Sequence, residues 1–268
     1  VNGLIFGILL SLASFPAYAA GKAGSAPVKV PAAQTGKLDS SSHSQTGKNA
    51  VSTQAAGTPE LFLYRSSAPL TLEAVVEHLK LYDKDLRSLS ARFQQTVSLA
   101  QGLPPRTTEG TLEYLKPERL RIEHLRPEQQ TLISDGKDLW VYRRSMNQAL
   151  QTALQDAKRS DPALAHLLQV GDYSRWISAY SLALDASADG PVLTMRPKNN
   201  AQGSFLLKMT LSQAELFPQT LEFRSGDTMI RTRLLDIRFN PELQERSFRF
   251  TPPAGAEVFR DFKPPQIQ

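Results

Sequence analysis

The sequence predicts an α+β domain, a large antiparallel sheet of about eleven strands with three helices, behind an export signal and a long polar arm. Three observations carry this. Short apolar runs follow one another with turn residues between them ("GLPP", "KPE", "RPE", "DGK"), the mark of an antiparallel meander. Helical periodicity occurs in two places, once before the first strand and once midway. The run Leu139-Trp140-Val141-Tyr142 is apolar on both faces, where a sheet with one wet face would alternate. A sheet of this size curls, and helices from the two helical stretches can lie inside its concave face.

The chain opens on "VNGLIFGILLSLASFPAYAA", uncharged, apolar and ending in small residues. Ala17-Tyr18-Ala19 fits the cleavage pattern of a secretory signal, although no Lys or Arg precedes the apolar run. Residues 1–19 are therefore read as an export signal and residues 20–68 as a disordered tether. From Gly21 to Thr58 small and polar residues dominate, aromatics are absent and no structural period survives. Lys22, Lys29, Lys37 and Lys48 against Asp39 place +3 of the formal +5 in this arm, leaving +2 for residues 59–268. The basic balance thus gives no reason to expect nucleic-acid binding by the folded part.

The domain is expected over residues 69–268. Leu72, Val75, Val76, Leu79, Tyr82, Leu86 and Leu89 recur at helical spacing, with Thr71 as N-cap and Glu73 facing the helix dipole. Strands follow over Ser90–Leu99, Thr108–Leu115, Arg119–Leu125, Gln130–Ser134 and Asp138–Arg143. Asp135-Gly136 between the last two favours a type I′ turn. Ala149, Leu150, Ala153, Leu154 and Ala157 suggest a second helix. A third starts at Ser160 or Asp161, with Pro162 in its first turn, and ends before Gly171. Strands resume over Tyr180–Leu184, Val192–Arg196, Ser204–Leu211, Gln219–Arg224, Met229–Phe239 and Ser247–Phe250.

Several chemistries lack the residues they need. The chain has no Cys, so disulfides, thiol catalysis and cysteine metal sites are excluded. His43 lies in the tether, and His78, His124 and His166 are scattered without metal-ligand spacing, which predicts solvated or helix-surface roles. No nucleophile elbow, P-loop or acid pair occurs, and no cofactor, metal or catalytic residue is expected.

Three motifs, in order, resemble the LolA family of periplasmic lipoprotein carriers. "ARFQQTV" resembles its opening strand. "EGTLEYLKPERLRIEHLRPEQQTLISDGKDLWVY" resembles its central pattern, and "FRFTPPAGAEV" its C-terminal signature. The resemblance spans roughly Leu72 to Val258. It implies an unclosed β-barrel whose concave apolar cavity is covered by helices. It further implies a non-enzymatic periplasmic carrier, acting as a monomer. Such a carrier takes acylated lipoproteins from an inner-membrane ABC transporter and hands them to an outer-membrane acceptor. On this resemblance the acyl-chain cavity is expected from Leu112, Leu120, Ile122, Leu132, Trp140 and Tyr142, and the lid from Leu150, Leu154, Leu164, Leu167 and Leu168. Lys116 stands before Pro117 where the family commonly has Arg, and that basic residue is implied to clamp the lid helices by their backbone. Glu113 occupies a strand position that is commonly apolar in the family, so it is expected at the rim or pointing outward.

Without the resemblance, Trp140, Tyr142 and the helix leucines would be plain core. Two further classes compete with the carrier. A periplasmic lipid-sensing regulator with a related half-barrel would carry a second domain after the first, and the chain ends about ten residues past Val258. A hydrolase lacks a nucleophile constellation.

Overall fold

The computed structural model describes residues 28–29, 59–99, 104–160, 173–198 and 205–260. The expected signal, nearly all of residues 20–58, and Leu164, Leu167 and Leu168 lie outside these.

Helix α1 spans Leu72–Asp85. Thr71 is extended and its hydroxyl accepts from the Ala74 amide at 3.2 Å, capping the helix as its side-chain chemistry predicts. Val75, His78, Leu79 and Tyr82 form the buried face. The helix stops four residues before the predicted Leu89, because Leu89 pairs with Tyr114 and Phe239 in the sheet. Strand pairing overrides a spacing that helix and strand share there.

Among the described residues the sheet has thirteen strands in the order β1-β13-β7-β6-β5-β4-β3-β2-β12-β11-β10-β9-β8. Strand β2 (Ser88–Ser98) is central. On one side run β3 (Arg106–Leu115), β4 (Arg119–Arg126), β5 (Gln130–Asp135), β6 (Asp138–Arg143) and β7 (Gln148–Ala153). The chain then crosses through helices α2 (Leu154–Ser160) and α3 (Tyr173–Ser178) to the far edge. It returns through β8 (Tyr180–Asp185), β9 (Val192–Pro197), β10 (Leu206–Leu211) and β11 (Pro218–Ser225) to β12 (Thr228–Phe239) against β2. Among the described residues all pairings are antiparallel except that of β7 with β13 (Glu257–Arg260). The sheet does not close: β8 ends one side and β1 (Val28–Lys29), paired with β13, ends the other. One core lies inside the curl, with α1 packed against α3 and β8.

Five expectations need correction. Residues 148–153 form a strand rather than the start of a helix, so Leu150 belongs to the sheet wall and only Leu154 to a helix. The small and apolar residues there fit either period, and the partners β6 and β13 decide it. Ser247–Phe250 is not a strand: Glu245–Phe248 is a 3₁₀ turn, and the last strand is β13. The fold begins upstream of residue 69, with a 3₁₀ turn at Glu60–Phe62 whose Phe62 is fully buried. Within the expected tether, Val28 and Lys29 pair with Val258 and Glu257. At the β5–β6 turn only Gly136 has positive φ (+92°) and Asp135 does not, so the turn is not type I′. The Asp135 carboxylate instead accepts from the Lys137 and Asp138 amides, each at 2.8 Å.

Candidate functional site

Strand alternation decides which side chains of β3–β7 enter the concave face. Leu112, Ile122, Leu132, Val141 and Leu150 stand opposite one another across five strands. Two residues nearer the Lys116 end, Tyr114, Leu120, Ser134 and Leu139 form a second row. The apolar members of both rows belong to or pack on the main core, and Leu120, Ile122 and Leu132 are fully buried. Ser134, the one polar member, donates to the Glu118 carbonyl at 2.9 Å.

Four of the six expected cavity residues, Leu112, Leu120, Ile122 and Leu132, therefore share this face. Trp140 and Tyr142 do not. They alternate with Leu139 and Val141 and point to the outer face, where their rings lie 5.4 and 5.5 Å from that of Phe250. The 3₁₀ turn just before Phe250 packs on β4 and β5, with Phe248 fully buried. Arg121 on the outer face of β4 donates to the Ser247 carbonyl at 3.0 Å. The doubly apolar strand is thus covered by helices inside and by the C-terminal segment outside. Glu113 alternates with Leu112 and points outward, as expected.

Helix α1 fills the interior through Val75, Leu79 and Tyr82, joined by Leu154 and Ala157 of α2 and Tyr173 of α3. Tyr82 is the hub. Its ring stacks on Phe62 at 4.6 Å and meets Phe217 at 5.0 Å and Tyr173 at 6.2 Å. Its hydroxyl donates to the Glu215 carbonyl at 2.6 Å. Burial pushes the Tyr82 and Tyr173 hydroxyls well above the usual tyrosine range, with a smaller push on Tyr173 from the Asp83 carboxylate. His78 and His124, expected at the surface, are buried instead, and His78 Nε2 is 3.0 Å from the Phe62 carbonyl.

Lys116, in the β3–β4 turn, reaches the last turn of α1, donating to the carbonyls of Asp83 at 2.9 Å and Tyr82 at 3.3 Å. Helix ends carry carbonyls short of intrahelical partners, and an ammonium there also opposes the negative end of the dipole. Asp83 continues the connection. Its carboxylate accepts from the Tyr173 amide and, at 2.9 Å, from the Ser174 amide, capping α3. Lys158 of α2 pairs with Glu118 of the same turn that carries Lys116. All three described helices are thus tied by polar contacts at one end of the sheet. Sequence reasoning found Lys116 but missed Asp83, because a carboxylate near a helix end reads as ordinary surface until the second helix is in place.

A family model for the outer membrane lipoprotein carrier protein LolA matches residues 84–251. An outer-membrane lipoprotein carrier protein of Dechloromonas aromatica is 30% identical over 192 residues, which cover 71% of this chain and 90% of that protein. Another from Neisseria meningitidis serogroup B is 27% identical over 184 residues, covering 68% and 86%. A crystal structure of a LolA superfamily protein from Nitrosomonas europaea matches at a TM-score of 0.38 and 12% identity, over 68% of this chain and 99% of that one.

Proposed function

The chain belongs to the outer membrane lipoprotein carrier family LolA, and from that premise we propose that it carries lipoproteins by burying their acyl chains inside the half-barrel. The observation that supports this most is the apolar row Leu112, Ile122, Leu132 and Val141, which faces helices held at one end by a few polar contacts. Cargo enters when the helices move aside and acyl chains take their place against these side chains. No covalent step is involved.

The magnitudes favour a reversible carrier. A long acyl chain gains roughly 10 kcal/mol on leaving water, at about 0.8 kcal/mol per methylene. Displacing the helices exposes residues such as Val75, Leu79 and Leu154, at about 1.5–3 kcal/mol each. It also breaks charged hydrogen bonds at Lys116 worth roughly 1.5–3 kcal/mol each. Loading and closure are then of similar size, so modest differences between donor, carrier and acceptor set the direction. The carrier works in the periplasm, receives cargo from an inner-membrane transporter and delivers it to an outer-membrane acceptor.

Purified protein added to inner-membrane vesicles bearing an acylated lipoprotein is expected to yield a soluble one-to-one complex, and Ile122→Asp to yield none. Extraction of the non-acylated form of the same protein at an equal rate would sink the proposal.

A further inference from the structure

The concave face is not apolar along its whole length. Moving along the strands from the row of Leu112, Ile122 and Leu132, away from Lys116, the next inward positions are Gly110, His124 and Gln130. His124 and Gln130 are only 6% and 7% exposed. Phe93 of the core lies opposite Gly110 and meets the His124 ring edge-on at 5.7 Å. One row further, Gln95 is fully buried and donates to Thr232 Oγ1 at 2.8 Å. The Gln130 Nε2 amide is buried without a hydrogen-bond partner among the described residues. Across the sheet the Gln130 row continues into the half-buried Arg143.

A buried amide without a partner costs about 1–3 kcal/mol, and nothing in a cavity for hydrocarbon alone requires one. The order of the rows, hydrocarbon and then polar about 7 Å further along each strand, with the guanidinium of Arg143 half-buried at its far side, matches an amphiphile lying lengthwise. In a lipoprotein, the groups directly after the acyl hydrocarbon are ester carbonyls on a glyceryl thioether of the N-terminal cysteine. They are uncharged acceptors, suited to an uncharged amide donor buried beside them.

We infer that Gln130, with His124 and the Gln95–Thr232 pair around it, forms a subsite for the ester carbonyls that join the acyl chains to the glyceryl group. The inference rests on the carrier reading and adds which atoms beyond the chains are recognised. Gln130 donates to an ester carbonyl as the chains settle on the leucine row, so the subsite fixes how deep the chains lie.

The test uses the full chain and two synthetic glyceryl-cysteine lipopeptides with identical alkyl chains, one a diester and one a diether. The diether lacks only the carbonyl oxygens. The wild type should bind the diester about 3- to 10-fold more tightly, the size of one buried neutral hydrogen bond. Gln130→Met, which keeps volume and removes the donor, should erase that preference. Gln130→Leu, which also removes the donor, should do the same if the Met variant fails to fold. Equal affinity of the wild type for diester and diether overturns the inference and leaves the carrier reading standing, as does a preference unchanged in a folded Gln130 variant. Binding of neither lipopeptide by the wild type ends both.

Discussion

A β-carbon added to Gly110 would sit 2.6 Å from Phe93 Cζ and 2.1 Å from the Glu123 carbonyl oxygen. The phenylalanine of "ARFQQ" and the glycine of "EGTL" are therefore two halves of one contact. The Phe93 ring edge occupies the space a side chain on Gly110 would need, and β4 comes close at the bulge between Glu109 and Gly110.

Gly110→Ala should be severely destabilising, by roughly 3 kcal/mol or more, the upper range for forcing atoms into a packed core. The backbone clash is shorter than the ring clash, so trimming the ring should not rescue it. Gly110→Ala/Phe93→Leu is expected to remain well below Phe93→Leu alone in urea denaturation. Full rescue would mean that the ring, not β4, sets the requirement for glycine.

The outer cover of β6 makes a second prediction. Phe250→Ala removes the ring that Trp140 and Tyr142 pack on and should cost about 1–2 kcal/mol, less than a fully buried phenylalanine because all three rings are half-buried. In a Trp176→Phe background, Trp140 emission should shift red in this variant. Adding an acyl probe to the wild type should leave that emission nearly unchanged, since Trp140 faces away from Leu132 and Val141. A large response of Trp140 to the probe would contradict this placement.

Much of this arrangement was legible beforehand, and the misses share a cause. The meander β2–β6 and the N-cap at Thr71 follow from local alternation and turn chemistry, whereas the expected cavity residues came only from the family resemblance, and alternation places Leu112, Leu120, Ile122 and Leu132 on one face. The resemblance implied Trp140 and Tyr142 in the cavity, yet alternation alone leaves the choice between them and Leu139/Val141 open. Only the C-terminal segment, about 110 residues further on, decides it. Residues 148–153 fit a helix locally because one of their two strand partners, β13, is equally remote, and Phe62 with Tyr64 is too short a run among polar residues to mark a packed element. Long-range partners cannot be read from a local window.

The tyrosine cluster predicts a stability limit at high pH. Burial raises the folded-state pKa of Tyr82, Tyr173 and Tyr180 above that of the unfolded chain. The folded state therefore holds these protons more tightly. The contribution is fully present below about pH 10, where the unfolded tyrosines begin to ionise, and is lost as pH rises beyond it. Each group steepens the loss by up to about 1.4 kcal/mol per pH unit. Thermal melts should fall steeply above pH 10, and Tyr173→Phe should make that fall shallower. An unchanged slope would mean that Tyr173 ionises in the folded protein as freely as in the unfolded chain.

On the proposed carrier reading, Lys116 is where closure can be tuned without altering the proposed acyl site. Its ammonium holds the Tyr82 and Asp83 carbonyls, and the Asp83 carboxylate in turn caps α3, so one turn of the sheet governs two helices in series. Lys116→Leu should raise amide exchange both in the last turn of α1 and at Tyr173–Ser174, whereas Asp83→Ala should raise it at Tyr173–Ser174 alone. With closure weakened, Lys116→Leu should take up cargo as well as the wild type or better, and release it to an acceptor several-fold more slowly, because reclosure no longer helps expel the acyl chains. Lys116→Arg should preserve transfer and lower exchange in α1, since a planar five-donor guanidinium holds two carbonyls with less loss of freedom than an ammonium on a flexible stem. Delivery by Lys116→Leu at the wild-type rate, with exchange at Tyr173–Ser174 unchanged, would show that the two helices close independently and that the clamp has no part in release.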